Sequence, residues 1–217
     1  MTARVFSGLF VCEGSSDQPL AAIVERLFIE HDINLRLSNP DFGLLPKVGK
    51  DVGSTVGAGL RLFGGSVDLV AVHRDADNAG AMSRRLEIEK AIEANRYNGI
   101  TLPVVPVRMT EAWLLLDEAA IRRVAGVPNG KVKLGLPRHN RVESDPDPKQ
   151  TLRRCLLEAS ECTGRRREMV AKRFSHHRRQ LLELLDVEGP VRELTSWGQL
   201  LDDVERSARI LAGRTQR

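Results

Sequence analysis

Two rhythms of apolar positions alternate along the first half of the chain. Residues 5–12 and 67–72 are short apolar runs with β-branched members, the second preceded by Gly64 and Gly65. Such runs read as strands of a parallel sheet, buried on both faces. Between them Leu20, Ile23, Val24, Leu27 and Phe28 recur at i, i+3, i+4, i+7 and i+8. That spacing predicts a helix with one apolar face laid on a sheet, capped by Ser16, with Pro19 in its first turn. A short second strand is expected within residues 34–45. Residues 43–65 carry seven glycines and predict a loop followed by a poor helix. A polar helix is expected over 79–95. The next strand, over 102–107, holds Pro103 and Pro106 and belongs near a sheet edge. Strands alternating with helices imply parallel βαβ units.

The rhythm changes after residue 110. Residues 111–117 and a short helix to residue 125 precede a stretch, 126–148, rich in Gly, Pro, Asn and Asp. Asp147 and Pro148 form an N-cap and first helical position, and the pattern is helical from there to residue 212, broken near Gly164 and Gly189–Pro190. The expected organisation is an α/β domain over residues 1–125, with a mostly parallel sheet, followed by a loop and helical extension over 126–217.

Composition narrows the classes. A chain of 217 residues, 41% hydrophobic, can bury a sizeable core, but aromatics at 4% leave little material for base-stacking platforms. Cys12, Cys155 and Cys162 have no metal-ligand spacing, and the last two lie about 10 Å apart along a helix, too far for a disulfide. A reduced, cytoplasmic protein is expected. No apolar run approaches the roughly 20 residues of a membrane helix. Glu13 and Asp17 interrupt the N-terminal apolar stretch, which argues against a signal peptide. The net charge of +4 is uneven: residues 151–180 hold nine Lys/Arg and three Glu, a balance of +6, against −2 for the remainder. A local basic excess suits contact with a polyanion.

Several familiar strings fail on inspection. Gly43 to Lys50 resembles a phosphate-binding loop with one residue too many and Asp51 in place of Ser/Thr. His73-Arg74-Asp75 lacks the downstream Asn of a kinase catalytic loop. The stretch beginning at Asp75 has Ala79 and Leu86 where an EF-hand needs ligands. Gly57-Ala58-Gly59 lacks the third glycine of a dinucleotide fingerprint.

What remains is a set of acids at strand ends. Asp75 and Asp77 follow one strand, and Glu13 follows the first. In open α/β sheets ligands bind outside the carboxyl ends of the strands. Two acids one residue apart there can face one hard cation, commonly Mg²⁺; the alternative is a turn capping the helix that follows. Three carboxylates brought together by neighbouring parallel strands repel unless a metal neutralises them. On that reasoning, replacing Asp75 or Asp77 by Asn leaves the metal-free protein as stable or slightly more so.

The arrangement of a strand ending in Glu13-Gly14, a helix, and a strand ending in Asp75-Ala76-Asp77 resembles the Toprim domain of topoisomerases, primases and overcoming-lysogenization-defect (OLD) nucleases. The fuller string, with Val11 to Asp17, His73 to Asp77, Pro103 to Arg108 and Glu111 to Leu114, is similar to a family of small stand-alone bacterial Toprim-like proteins. The resemblance covers about residues 5–125 and reaches the helical part only around Asp147-Pro148-Lys149. It implies a Toprim-like Rossmannoid fold. It also implies Glu13 as general acid/base or metal ligand and Asp75 and Asp77 as holders of Mg²⁺, with Mn²⁺ a substitute. Asp17 would occupy the second acidic position of OLD-type nucleases, and Glu111 would complete that set. Two such metals about 3.5–4 Å apart stabilise the attacking and leaving oxygens of a phosphodiester.

The glycine-rich interval between Glu13 and Asp75 is longer than a minimal Toprim needs. The single tyrosine, Tyr97, lies in the polar helix, so hydrolysis by activated water suits the sequence better than topoisomerase chemistry. The implied activity is Mg²⁺-dependent nuclease action, in defence against phage or mobile DNA, beside an ATPase encoded elsewhere. Arg74, Arg108, Lys149, Arg165, Arg166 and Arg167 are the candidate nucleic-acid contacts.

Each residue has a plainer reading. Asp17 favours a helix N-terminus electrostatically, Glu111 shares a helix start with Thr110, and the arginine run can be a solvated helix face. Trp113 reads as core, His73 as a packed neighbour, and His176-His177 lacks metal spacing. Two rival functions stand beside the nuclease: a non-catalytic module binding nucleic acid or a partner, and a metal-dependent phosphohydrolase of a small phosphorylated substrate.

Overall fold

A computed structural model describes residues 4–42, 45, 48–64 and 66–215. The chain divides into two compact units. The first comprises Met1–Arg74, Ala81–Val105 and Gln199–Arg217; the second comprises Asp75–Gly80 and Pro106–Gly198.

The first unit is built on four parallel strands: β1 (Val5–Val11), β2 (Asn34–Ser38), β3 (Leu69–His73) and β4 (Ile100–Val104), in the order β2-β1-β3-β4. It is an α/β fold with a Rossmann-like, all-parallel sheet. Leu9, Phe10, Leu69, Val70, Ala71 and Val72 are fully buried, which is why the middle of each of these two central strands is apolar. β4 lies at an edge, where Pro103, opposite Val72, is tolerated. The crossovers are α1 (Pro19–Ile29), α2 (Val52–Leu62) and α3 (Ala81–Ala94). Chain direction across the sheet reverses after β2, so right-handed crossovers put α1 on one face and α2 with α3 on the other.

Two local expectations change. Ser16 does not cap α1: residues Ser15–Asp17 form a 3-10 turn, and Gln18 stands at the cap position before Pro19. The glycine-rich stretch holds a helix after a loop, as expected, but that helix, α2, runs three turns, capped by Asp51, whose carboxylate accepts from the Ser54 amide at 2.8 Å. Its poor intrinsic propensity is offset by close packing: a Cβ on Gly59 would lie 2.5 Å from the Leu9 side chain on β1. Gly43 and Gly65 lie outside the described residues.

The chain's last helix, α10 (Thr195–Thr215), returns to this unit from Gln199 onward. Asp203 on α10 pairs with Arg85 on α3 and with Arg206, and the Arg4 guanidinium donates to the Arg214 carbonyl at 2.8 Å.

The second unit is helical. It contains α4 (Glu111–Leu114), α5 (Glu118–Val124), α6 (His139–Val142), α7 (Pro148–Ala159), α8 (Gly164–Lys172) and α9 (Phe174–Glu183), with a 3-10 turn over Pro190–Glu193. Asp147 caps α7 through the Gln150 amide at 2.9 Å, with Pro148 in the first turn. Trp113 is core: it lies edge-on to Trp197, with centroids 4.9 Å apart, and its indole N–H donates to the Ser196 hydroxyl at 2.9 Å. No helix among the described residues is long and apolar enough to cross a membrane.

Candidate functional site

Strand order makes the boundary between β1 and β3 the point where connections leave in opposite directions. Ligands in open α/β sheets bind in the crevice at such a point. Val11 on β1 pairs with Val72 on β3, so Glu13 and Arg74, each two residues further on, end up side by side. The Arg74 guanidinium forms an ion pair with Glu13 and reaches Glu87 on α3 at 3.3 Å. The Arg74 side chain is mostly buried while Glu13 is the more open partner.

A cavity of about 360 Å³ opens here within the first unit. The strand ends supply Cys12, Glu13, His73 and Arg74; the turn before α1 supplies Gly14, Ser15 and Gln18; the loop between β2 and α2 supplies Asn39, Phe42 and Lys50. Burial, reinforced by the negative field of Asp17, pushes the Cys12 thiol up to about 12, so the side chain is neutral near neutral pH. Its Sγ lies 3.3 Å from the Gly14 carbonyl. Asp17 is buried in the 3-10 turn, and His73 is buried within β3.

Asp75 and Asp77 belong to the second unit. Asp75 Oδ1 accepts the Thr110 amide at 2.9 Å and the Thr110 hydroxyl at 3.0 Å, which ties the residue to the start of α4. This bonding revises the expectation that Asp75→Asn leaves metal-free stability intact or raised, because Asp75 does structural work without a cation. Asp77 sits at φ 46° and donates its amide to the Arg108 carbonyl at 2.8 Å. Asx residues populate this left-handed region more readily than other non-glycine types. The helix that these acids were expected to precede starts at Ala81.

Glu111 is buried, and its carboxylate accepts from Arg178 Nε at 2.8 Å in α9. Among the described residues no three His, Cys, Asp or Glu side chains are grouped to hold a metal ion. Mg²⁺ commonly takes only one or two protein carboxylates and completes its shell with water and substrate phosphate, and the hard oxygens of Asp75 and Asp77 fit that chemistry.

The basic candidates divide in a similar way. Arg108 donates to the Asn78 side chain at 2.9 Å and to the Pro146 carbonyl at 3.4 Å. Arg167 pairs with Glu158 at 2.7 Å. Lys149 in α7 and Arg165 and Arg166 in α8 are exposed, as are Lys172 and Arg173 nearby. No residue of α8 is fully buried, although Arg167, Val170 and Ala171 are half-buried. His177 is buried and His176 exposed; burial first, then His176 and Arg173, lowers His177 below the ordinary histidine range.

Sequence reasoning missed Gln18, Asn39, Phe42 and Lys50. The signal existed in part, because Asn39-Pro40-Asp41 directly follows β2, and loops after strand carboxyl ends build sites in such sheets. Comparison with protein-family models, curated proteins and solved structures finds no significant match for this chain.

Proposed function

We propose that the chain hydrolyses phosphodiester bonds of nucleic acid in a Mg²⁺-dependent reaction, with a Toprim-like site. The observation that carries this reading is the Glu13–Arg74 pair at the carboxyl ends of β1 and β3, opening on a cavity at the sheet's switch point. A carboxylate there can take a proton from the attacking water and return one to the leaving oxygen. The guanidinium beside it holds Glu13 in place and offers N–H donors suited to a phosphoryl oxygen. Asp75 and Asp77 would hold the cation, which lowers the pKa of bound water and neutralises charge on the phosphoryl group. Asp17 and Glu111 are further carboxylates of the same proposal, but Glu111 is already committed to Arg178. The exposed cations of α7 and α8 would track the phosphate backbone.

Free Cys12, Cys155 and Cys162 support a reducing, cytoplasmic setting. Defence against phage or mobile DNA, beside a separate ATPase partner, is part of the same proposal. The test is cleavage of linear and nicked DNA and of RNA by the full chain with Mg²⁺ or Mn²⁺. Activity should vanish with chelator and fall at least a hundredfold in Glu13→Gln, the usual scale of a lost general acid/base. Cleavage that persists in both would refute it.

The cavity volume favours a second reading, hydrolysis of a small phosphorylated molecule, because about 360 Å³ is at the low end for small-ligand sites, roughly 300–1,000 Å³. Turnover of mononucleotides without cleavage of polynucleotides would select it.

A further inference from the structure

The cavity beside Glu13 has a composition that a simple phosphate site would not need. Glu13 and Arg74 offset one another at its floor, and Lys50 and Asp41, both exposed, do so among the loop residues. The site is therefore close to neutral overall. Its neutral polar lining includes the primary amides Gln18 and Asn39, the latter also in hydrogen-bond reach of the Cys12 thiol, beside Ser15, Thr55 and His73, and its apolar wall includes Phe42 and Val52.

Amide side chains carry a donor and an acceptor side by side, the pattern that pairs with the edge of a nucleobase. An aromatic ring with aliphatic neighbours suits the face of a flat heterocycle. The open cavity of about 360 Å³ is of small-molecule size and is far too small for a stacked duplex.

We infer that this cavity receives the base of one unpaired nucleotide, stacked on Phe42 and read at its edge by Asn39 and Gln18. This rests on the nucleic-acid reading above and deepens it. Placing a base here sets its own phosphate near Glu13 and Arg74, so the favoured substrates are single strands, frayed ends or extruded nucleotides. Duplex would be used only where it opens.

The test needs neither metal nor turnover. The full chain, in chelator, is titrated by calorimetry with AMP, CMP, GMP and UMP, and with ribose 5-phosphate as a control that keeps the phosphate and lacks the base. At least one mononucleotide should bind saturably, and ribose 5-phosphate at least tenfold more weakly. Phe42→Ala should weaken the bound nucleotide about tenfold or more, in line with the loss of one stacking partner. Asn39→Asp, which keeps shape and replaces two amide donors by acceptors, should change the order of preference among the four bases. Circular dichroism on both variants confirms that each is folded. Ribose 5-phosphate binding as tightly as the nucleotides would overturn the inference. So would the absence of mononucleotide binding at millimolar concentration, or an unchanged base order in Asn39→Asp together with unchanged affinity in Phe42→Ala. Base-dependent binding by a chain that cuts no polynucleotide would uphold the cavity assignment while the nuclease reading fell.

Discussion

Glu111 offers the sharpest separation between a structural and a catalytic acid. Its carboxylate and the Arg178 guanidinium have 4% and 6% of their side-chain surface exposed, and the Nε–Oε1 distance is 2.8 Å. Both ions have given up hydration, and the pair offsets part of that cost. Glu111→Gln keeps the shape of α4 but leaves the Arg178 charge without its carboxylate. Breaking a buried pair from one side costs about 3–5 kcal/mol, a large share of the roughly 5–15 kcal/mol by which domains are stable. Arg178→Met should cost a similar amount from the other side. The double variant Glu111→Gln/Arg178→Met should recover part of the loss, because the buried guanidinium is removed together with its carboxylate partner, giving a coupling of about 1–3 kcal/mol in the cycle. Urea unfolding of the four proteins in chelator measures this directly. The reasoning is refuted if Glu111→Gln shifts metal-free stability by less than about 0.5 kcal/mol, the range of an ordinary surface substitution. If that variant instead lost only the stabilisation conferred by Mg²⁺, Glu111 would be a ligand and not a strut.

Asp75→Ala should cost about 1.5–3 kcal/mol in chelator, since the amide and hydroxyl of Thr110 lose a charged acceptor, whereas Asp77→Asn, which keeps the side-chain shape at a positive-φ position that Asn tolerates, should cost less; equal losses in denaturant melts would contradict this. Reversing Arg165 and Arg166 to Glu should weaken polynucleotide binding and reduce the slope of log K against log salt by about 1.8 for duplex DNA, if each contacts one phosphate; an unchanged slope would mean that α8 is a solvated face. Cys12 has its thiol pushed up to about 12, and burial also raises Cys155 and Tyr97. Groups raised in the folded state contribute stability that is whole below their unfolded pKa and is lost as pH climbs toward the folded value. Stability should therefore fall from about pH 9 upward, and less steeply in Cys12→Ala, as measured by urea midpoints between pH 8 and 11; an identical pH profile would refute the assignment.

How far the sequence speaks for the structure depends on the range of the interaction. The central strands were legible because a parallel strand covered on both faces is apolar at every position, as Leu69 to Val72 are. Pro103 marked the edge strand for a local steric reason, and Asp147-Pro148 announced α7 through the chain's own capping chemistry. The helix α2 was harder: Gly59 reads as a helix breaker until Leu9, fifty residues earlier, is seen pressed against it. The site shows the same divide. Placement of Glu13 at a strand end was legible from one segment. Its pairing with Arg74 depends on β1 and β3 being adjacent in a particular register, and the Glu111–Arg178 pair joins helices 67 positions apart in the chain. Neither partner advertises the other. Phe42 and Asn39 sit in a loop with no periodicity at all, so only the sheet order identifies that loop as part of a cavity wall.

The account turns on whether the acids at the strand ends bind a divalent cation. Crystals of the full chain soaked in Mn²⁺, with data collected at wavelengths on either side of the manganese absorption edge, would locate the ion by its anomalous scattering. Anomalous density is expected at the Asp75 and Asp77 carboxylates, with loss of that density in Asp77→Asn crystals. No peak at these residues under saturating Mn²⁺, or a peak that survives the Asp77→Asn substitution, would contradict it.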